Sequence, residues 1–145
     1  MPDSLEPDTR KYAILYVDDE EKSLKYFKEA FEDVFVIHTA PNTTLAMEIL
    51  DANSDSIGVI LSDQRMPEET GVEFFEKARA KYPDILRILV TAFADLENAI
   101  DAVNSGAVYL YLTKPWNLEE LEVTLRRSLH YFLVQEERNS LLRQK

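Results

Sequence analysis

Cysteine is absent from this 145-residue chain, and histidine occurs only as His38 and His130. Disulfides, thiolate metal sites and cysteine nucleophiles are thereby excluded, and the absence of cysteine fits a reducing compartment. The two histidines have no ligand-like spacing, which argues against a histidine metal site or a Ser-His-Asp type of triad. Glycine is scarce too. Gly58, Gly71 and Gly106 are the only ones, so there is no glycine-rich loop to cradle phosphates and nucleotide binding is not expected. No apolar run approaches membrane-spanning length. The polar segment Met1–Arg10, with Pro2 and Pro7, lacks the apolar core of a signal peptide and reads as a disordered leader of a cytoplasmic protein. Basic residues are outnumbered, 16 against 27 acids, for a formal charge of -11. Such a charge repels phosphate backbones and anionic membrane surfaces, so no nucleic-acid or membrane partner is expected for this segment.

What is present is the composition of one folded domain, with 46% apolar and 30% charged residues. Four short apolar runs dominate the pattern. Tyr12–Val17 leads to Asp18 and Asp19, Gly58–Ser62 to Asp63, Ile85–Val90 to Thr91, and Val108–Thr113 to Lys114. Runs of this length, rich in Val, Ile, Leu and Tyr and separated by helix-period stretches, predict parallel strands in βα repeats. A further strand is expected over Val34–His38.

The intervening stripes predict amphipathic helices. Leu24, Phe27 and Phe31 mark the first; Leu45, Ala46, Ile49 and Leu50, capped by Asn42, the second. Thr70 with Glu73 fits a capping box for a third helix, with Val72, Phe75 and Ala78 inward and Tyr82-Pro83 as its stop. Leu96, Ala99, Ile100 and Val103 define a fourth, closed by Gly106. Asn117 and Glu120 open a fifth, lined by Leu118, Leu121, Leu125 and Leu129. Five βα units with right-handed crossovers give an α/β, doubly wound, five-stranded parallel sheet of order 2-1-3-4-5. The expected boundaries are a leader over 1–10, a domain over 11–130 and a helical extension or linker over 131–145.

Parallel strands end on one edge of the sheet, so three carboxylates, a hydroxyl and an ammonium are expected to converge there. Singly, each acid could be a helix cap or turn residue, Thr91 a plain strand residue and Lys114 a solvated lysine. Their joint placement is what matters. Asp18, Asp19 and Asp63 would repel one another unless a divalent cation lay between them, and hard oxygen ligands in small number suit Mg²⁺. Asp63, alone at its strand end, is the candidate nucleophile for an acyl phosphate. Lys114 can neutralise phosphoryl oxygens, and Thr91 can donate a hydrogen bond to them.

The ordered set Val17-Asp18-Asp19-Glu20, Asp63-Gln64-Arg65-Met66-Pro67 with Gly71, Thr91-Ala92 and Tyr111-Leu112-Thr113-Lys114-Pro115 resembles the receiver domains of two-component response regulators, across Tyr12–Tyr131. The resemblance implies that Asp63 accepts a phosphoryl group from the phosphohistidine of a sensor kinase or phosphotransfer protein. It also implies Mg²⁺ on Asp19, Asp63 and the Arg65 carbonyl, with Asp18 acting through water. Thr91 and Tyr111 would be the switch pair, altering the helix 4, strand 5 and helix 5 surface, and Lys114-Pro115 would be cis. Arg65 falls where family members tune dephosphorylation. The Lys114-Pro115-Trp116 run is similar to receivers attached to hydrogenase-type regulators, HD-type phosphodiesterases and hybrid kinases.

Two other readings compete. A Mg²⁺-dependent phosphohydrolase of the haloacid-dehalogenase kind would need Asp-x-Asp after the first strand, where Asp18 and Asp19 are adjacent. A receiver-like adaptor that is never phosphorylated would have no use for Asp63 and Lys114. The last helix is expected to continue towards an output domain after Lys145. Leu118, Leu125, Phe132 and Asn139 at a positions, with Leu121, Ser128, Gln135 and Leu142 at d, suggest a weak homodimer seam.

Overall fold

Five strands alternate with five α-helices in the computed structural model, which describes residues 8–144. The strands are β1 (Ala13–Val17), β2 (Ile37–Ala40), β3 (Ile57–Asp63), β4 (Leu86–Thr91) and β5 (Leu110–Thr113). The helices are α1 (Glu21–Phe31), α2 (Thr43–Asn53), α3 (Gly71–Lys81), α4 (Leu96–Asn104) and α5 (Leu118–Arg143), with a 3₁₀ turn at Phe93–Asp95 before α4. All strand pairs are parallel and the order is β2-β1-β3-β4-β5, as the βα pattern predicts.

Side-chain alternation along the strands builds two cores. Leu15, Val17 and Ile60 meet Ala46, Leu50, Phe74, Phe75 and Ala99 from α2, α3 and α4. On the opposite face, Ile14, Tyr16, Val59 and Leu61 meet Leu24, Phe27 and Phe31 of α1 and Leu121, Leu125 and Leu129 of α5. Burying each of these large side chains contributes about 1.5–3 kcal/mol. Both faces of the sheet are covered, and the strand-order reversal beside β1 leaves a crevice at the carboxyl ends of β1 and β3.

Three helix starts follow their sequence signals. Asn42 accepts from Leu45 N–H, Asn117 accepts from Glu120 N–H, and the Thr70–Glu73 capping box is complete. Gly106 has φ +84°, the left-handed turn that closes α4.

Other expectations need correction. The second strand starts at Ile37 rather than Val34, because the Val34 and Phe35 N–H groups both bond back to Phe31 O and close α1. Strand five starts at Leu110, since Val108 N–H bonds Ala102 O at the end of α4. Leu45, Ile100 and Leu118, expected inward, are exposed; Thr43 and Ala102 take inner positions instead, while Leu121 is buried as expected. Thr9 and Arg10, expected in a disordered leader, are tied to the α1–β2 turn by bonds to Val34 O at 2.9 Å and Glu32 O at 3.2 Å. Residues 1–7 and 145 lie outside those described.

Helix α5 is continuous to Arg143, and Phe132, expected beyond the domain's edge, is buried. The β1–β3 register slips between Ala13 and Ile14, which makes Gly58 the extra residue. A Cβ there would lie 2.9 Å from the Phe132 ring, so glycine is what lets α5 seat this ring on the sheet. Leu121, Leu125, Ser128 and Phe132 are buried in the domain's own core, so half of the expected dimer seam faces inward.

Candidate functional site

Strand register assembles the site. Val17 pairs with Ser62, so the next residues, Asp18 and Asp63, emerge side by side. Asp63 pairs with Val90 and Thr91 with Thr113, which carries the edge across to Lys114. One carboxylate oxygen from each of Asp18, Asp19 and Asp63 lies within 4.8 Å of the others. Asp18 is fully buried, Asp63 half-buried and Asp19 exposed. Three hard oxygen donors at this spacing fit a small divalent cation that keeps part of its water shell.

Asp18 is buried with its charge fully engaged. Its Oδ1 accepts from Glu20 N–H at 2.9 Å, and its Oδ2 accepts from both Tyr16 Oη at 2.6 Å and Lys114 Nζ at 2.8 Å. Burial and the Asp18 carboxylate both drive the Tyr16 hydroxyl pKa strongly upward, so it stays a neutral donor. Asp63 Oδ1 accepts from Gln64 N–H at 3.0 Å. Burial pushes the Asp63 carboxyl up to about 6; the Lys114 ammonium opposes this, while Asp18 and Asp19 add repulsion. The arrangement therefore holds one carboxylate, Asp63, short of donors and partly open to solvent.

Thr91 is buried, with its hydroxyl directed to Ala92 O at 3.3 Å. Tyr111 pairs with Leu89 and packs, half-buried, against the α2/α3/α4 core. The Lys114-Pro115 peptide is cis, and Lys114 Nζ lies 5.6 Å from the Trp116 ring centroid. Trp116 packs beside Tyr16 and Phe27. A cleft of about 530 Å³, lined by Tyr26, Phe27, Lys114, Trp116 and Leu118, opens on the α1 side of this lysine. A smaller hollow of about 150 Å³ lies between Asp19, Asn42 and Met66.

Three participants escape sequence reasoning. Tyr16 reads as one more strand residue until its hydroxyl is seen on Asp18. Asp95 receives Arg65 in a two-point ion pair, 2.7 and 2.9 Å, tying the β3–α3 loop to the 3₁₀ turn after β4. The Gln64 side chain accepts from Val72 N–H at 3.0 Å and so joins the residue beside Asp63 to the first turn of α3. Nothing local in the sequence marks the Asp95 and Gln64 pairings, whereas Tyr16 and Asp18 are two apart on one strand and so share a side. Gly71 is more legible: a Cβ there would lie 2.5 Å from Asp63 O, so only glycine allows α3 to approach the strand end this closely.

Comparison with known proteins agrees with this geometry. A model of the response regulator receiver domain matches residues 14–126. The hydrogenase transcriptional regulatory protein HoxA of Bradyrhizobium diazoefficiens is 32% identical over 124 residues, 86% of this chain and 25% of the relative. The chain thus spans about a quarter of that relative's length. Among solved structures, a receiver domain protein from Clostridium thermocellum superposes with TM-score 0.80 at 29% identity, covering 86% of this chain and 98% of the other. The signal receiver domain of an HD domain-containing protein from Pseudomonas fluorescens Pf-5 gives 0.81 at 29% identity, covering 93% and 98%. With the match spanning most of the sheet and the edge that carries Asp18, Asp19, Asp63 and Lys114, the chain belongs to the response regulator receiver domain family.

Proposed function

We propose that Asp63 is the phosphoacceptor of this receiver, taking a phosphoryl group from the phosphohistidine of a sensor kinase or phosphotransfer protein. The observation that carries this reading is the meeting of the Asp18, Asp19 and Asp63 carboxylates with Lys114 at one edge of the sheet. Asp63 attacks phosphorus through a carboxylate oxygen; the P–N bond breaks, and the departing imidazole keeps the electron pair. Asp19, Asp63 and the Arg65 carbonyl would hold Mg²⁺, with Asp18 acting through water. A bound Mg²⁺ supplies positive charge to the phosphoryl oxygens and to the acids that otherwise repel one another. Lys114 offers a second cation within the same site.

The added phosphoryl group brings about -1.5 to -2 of charge and new acceptor oxygens. Thr91, whose hydroxyl now makes only the long bond to Ala92 O, turns towards it, and Tyr111 follows into the space vacated. The helix α4, β5 and α5 surface then differs between the two states, and an output domain joined beyond α5 reads it. The only chemistry expected of the domain itself is phosphorylation from a donor and loss of that group to water. Such a module works in the cytoplasm, and no described helix is long and apolar enough to cross a membrane.

Incubation with acetyl phosphate tests this, read by intact-mass spectrometry. One phosphoryl group should be gained with Mg²⁺ present, none with excess chelator, and none by Asp63→Asn. Equal labelling of Asp63→Asn would overturn the assignment.

A further inference from the structure

We propose that Tyr16 is a positioning residue for the phosphoryl site: its hydroxyl shares Asp18 Oδ2 with Lys114 and so sets how tightly the resting protein holds that lysine. The inference rests on Asp63 being the phosphoacceptor.

A strand buried on both faces is normally filled by aliphatic residues, as Ala13, Ile14, Leu15 and Val17 fill β1. Tyr16 instead carries a hydroxyl into the core, and a buried hydroxyl requires a partner. Residues i and i+2 of a strand share a side, so the partner within reach is Asp18. The ring is wholly buried, with its centroid 4.5 Å from that of Phe27 and 5.8 Å from that of Trp116. Packing therefore fixes the donor in place, 2.6 Å from Oδ2.

Lys114 differs in being able to move. Its side chain is 30% exposed, and it spans from Asp18 Oδ2 at 2.8 Å to the face of Trp116. Two donors on one oxygen weaken each other, because each withdraws charge that the other would bind. When phosphoryl oxygens form on Asp63, Lys114 has to leave Asp18 to reach them. An abandoned buried carboxylate would oppose that motion strongly. Tyr16 removes much of the opposition: after Lys114 departs, Asp18 still has the hydroxyl on Oδ2 and the Glu20 N–H on Oδ1. With phenylalanine at this position, Lys114 would be the sole side-chain donor to Asp18 and would be held there.

Tyr16→Phe keeps the ring and deletes the donor. Its limiting phosphorylation rate with acetyl phosphate and Mg²⁺ should fall about tenfold, the scale of one hydrogen bond to a charged group. The donor concentration for half-maximal rate should stay within about twofold. In a Lys114→Ala background the same substitution should change the rate by less than about twofold, because the lysine through which Tyr16 acts is gone. A purely structural role would instead lower thermal stability and slow both backgrounds equally. A Tyr16→Phe rate equal to wild type, or an equal loss with and without Lys114, overturns the proposal. A wild-type protein that takes no phosphoryl group overturns the phosphoacceptor reading itself. Should the variant not fold, the wild type still decides: the Tyr16 Oη–H proton, buried away from exchange with solvent, should resonate downfield and shift when Mg²⁺ and beryllofluoride draw Lys114 away. A resonance left unmoved by beryllofluoride overturns the role of Tyr16.

Discussion

Burial separates Asp63 from an ordinary surface carboxylate, and the repulsion from Asp18 and Asp19 adds to it. In the metal-free protein the folded-state pKa, about 6, stands above the ordinary value of 3.8. The folded state therefore binds the proton more tightly than the unfolded chain, and this group removes stability as pH rises from 3.8 to about 6. Asp63→Asn should relieve that loss above pH 6. Without Mg²⁺, its melting temperature should exceed wild type by about 2–4 °C, on the order of 1 kcal/mol for a half-exposed group. A variant that melts lower would contradict the electrostatic picture. Below pH 6 the protonated carboxyl cannot bind metal, so Mg²⁺ affinity should fall by up to about tenfold per pH unit, measurable by calorimetry between pH 5 and 7. Affinity independent of pH would argue that Asp63 is not a ligand. Lys114→Ala should leave Mg²⁺ binding within a few-fold yet lose most amide shift changes produced by beryllofluoride; identical changes in both proteins would refute its role. The acids and the lysine were legible because each terminates an apolar run. Asp95 was not, because loop path rather than sequence spacing brings Arg65 to it. Tyr16 shares a side with Asp18 by its i, i+2 spacing, but the packing that fixes its hydroxyl on Asp18 comes from Phe27 and Trp116 on other elements.

Among the elements, helix starts are the most local feature, and Asn42, Thr70 with Glu73, and Asn117 all mark them from a few adjacent residues. The beginnings of β2 and β5 depend on how the preceding helix closes. Val34 and Phe35 have strand-like side chains, but their N–H groups are spent on the end of α1. Leu45, Ile100 and Leu118 fit helical stripes yet lie outside, because the stripe's angle to the sheet is set by neighbouring elements. Phe132 could not be placed without knowing that Gly58 opens room for it. The approach of α3 to Asp63 depends similarly on Gly71. Gly71→Ala would force a Cβ against Asp63 O and Leu89, so the helix has to withdraw. A loss of about 1–3 kcal/mol in urea unfolding is expected, together with slower phosphorylation. A variant as stable and as reactive as wild type would show that the strand end tolerates displacement of α3. The Arg65–Asp95 pair also joins two loops around the site, but Arg65 is largely exposed and the pair should contribute at most about 1 kcal/mol.

On the scale of the whole molecule, the sheet order and the two-sided core were legible because a βα repeat with right-handed crossovers leaves few arrangements. The fate of the last helix was not. Its a and d residues from Leu121 to Phe132 serve the domain's own core, so a second copy pairing along the end of the helix would use the apolar side chains exposed there, at Val134, Leu141 and Leu142. We expect self-association through this end. Sedimentation of the intact chain should then show a concentration-dependent dimer, which is lost on truncation after Leu133, a cut that spares Phe132. Monomers in both cases would confine α5 to packing and linkage. The phosphoacceptor assignment is tested most directly by locating the modification. After reaction with acetyl phosphate and Mg²⁺, borohydride reduction converts an aspartyl phosphate to homoserine at the residue that carried it. Peptide mass spectrometry should find that conversion at Asp63 alone; conversion at Asp18 or Asp19, or at no residue of a phosphorylated protein, would contradict it.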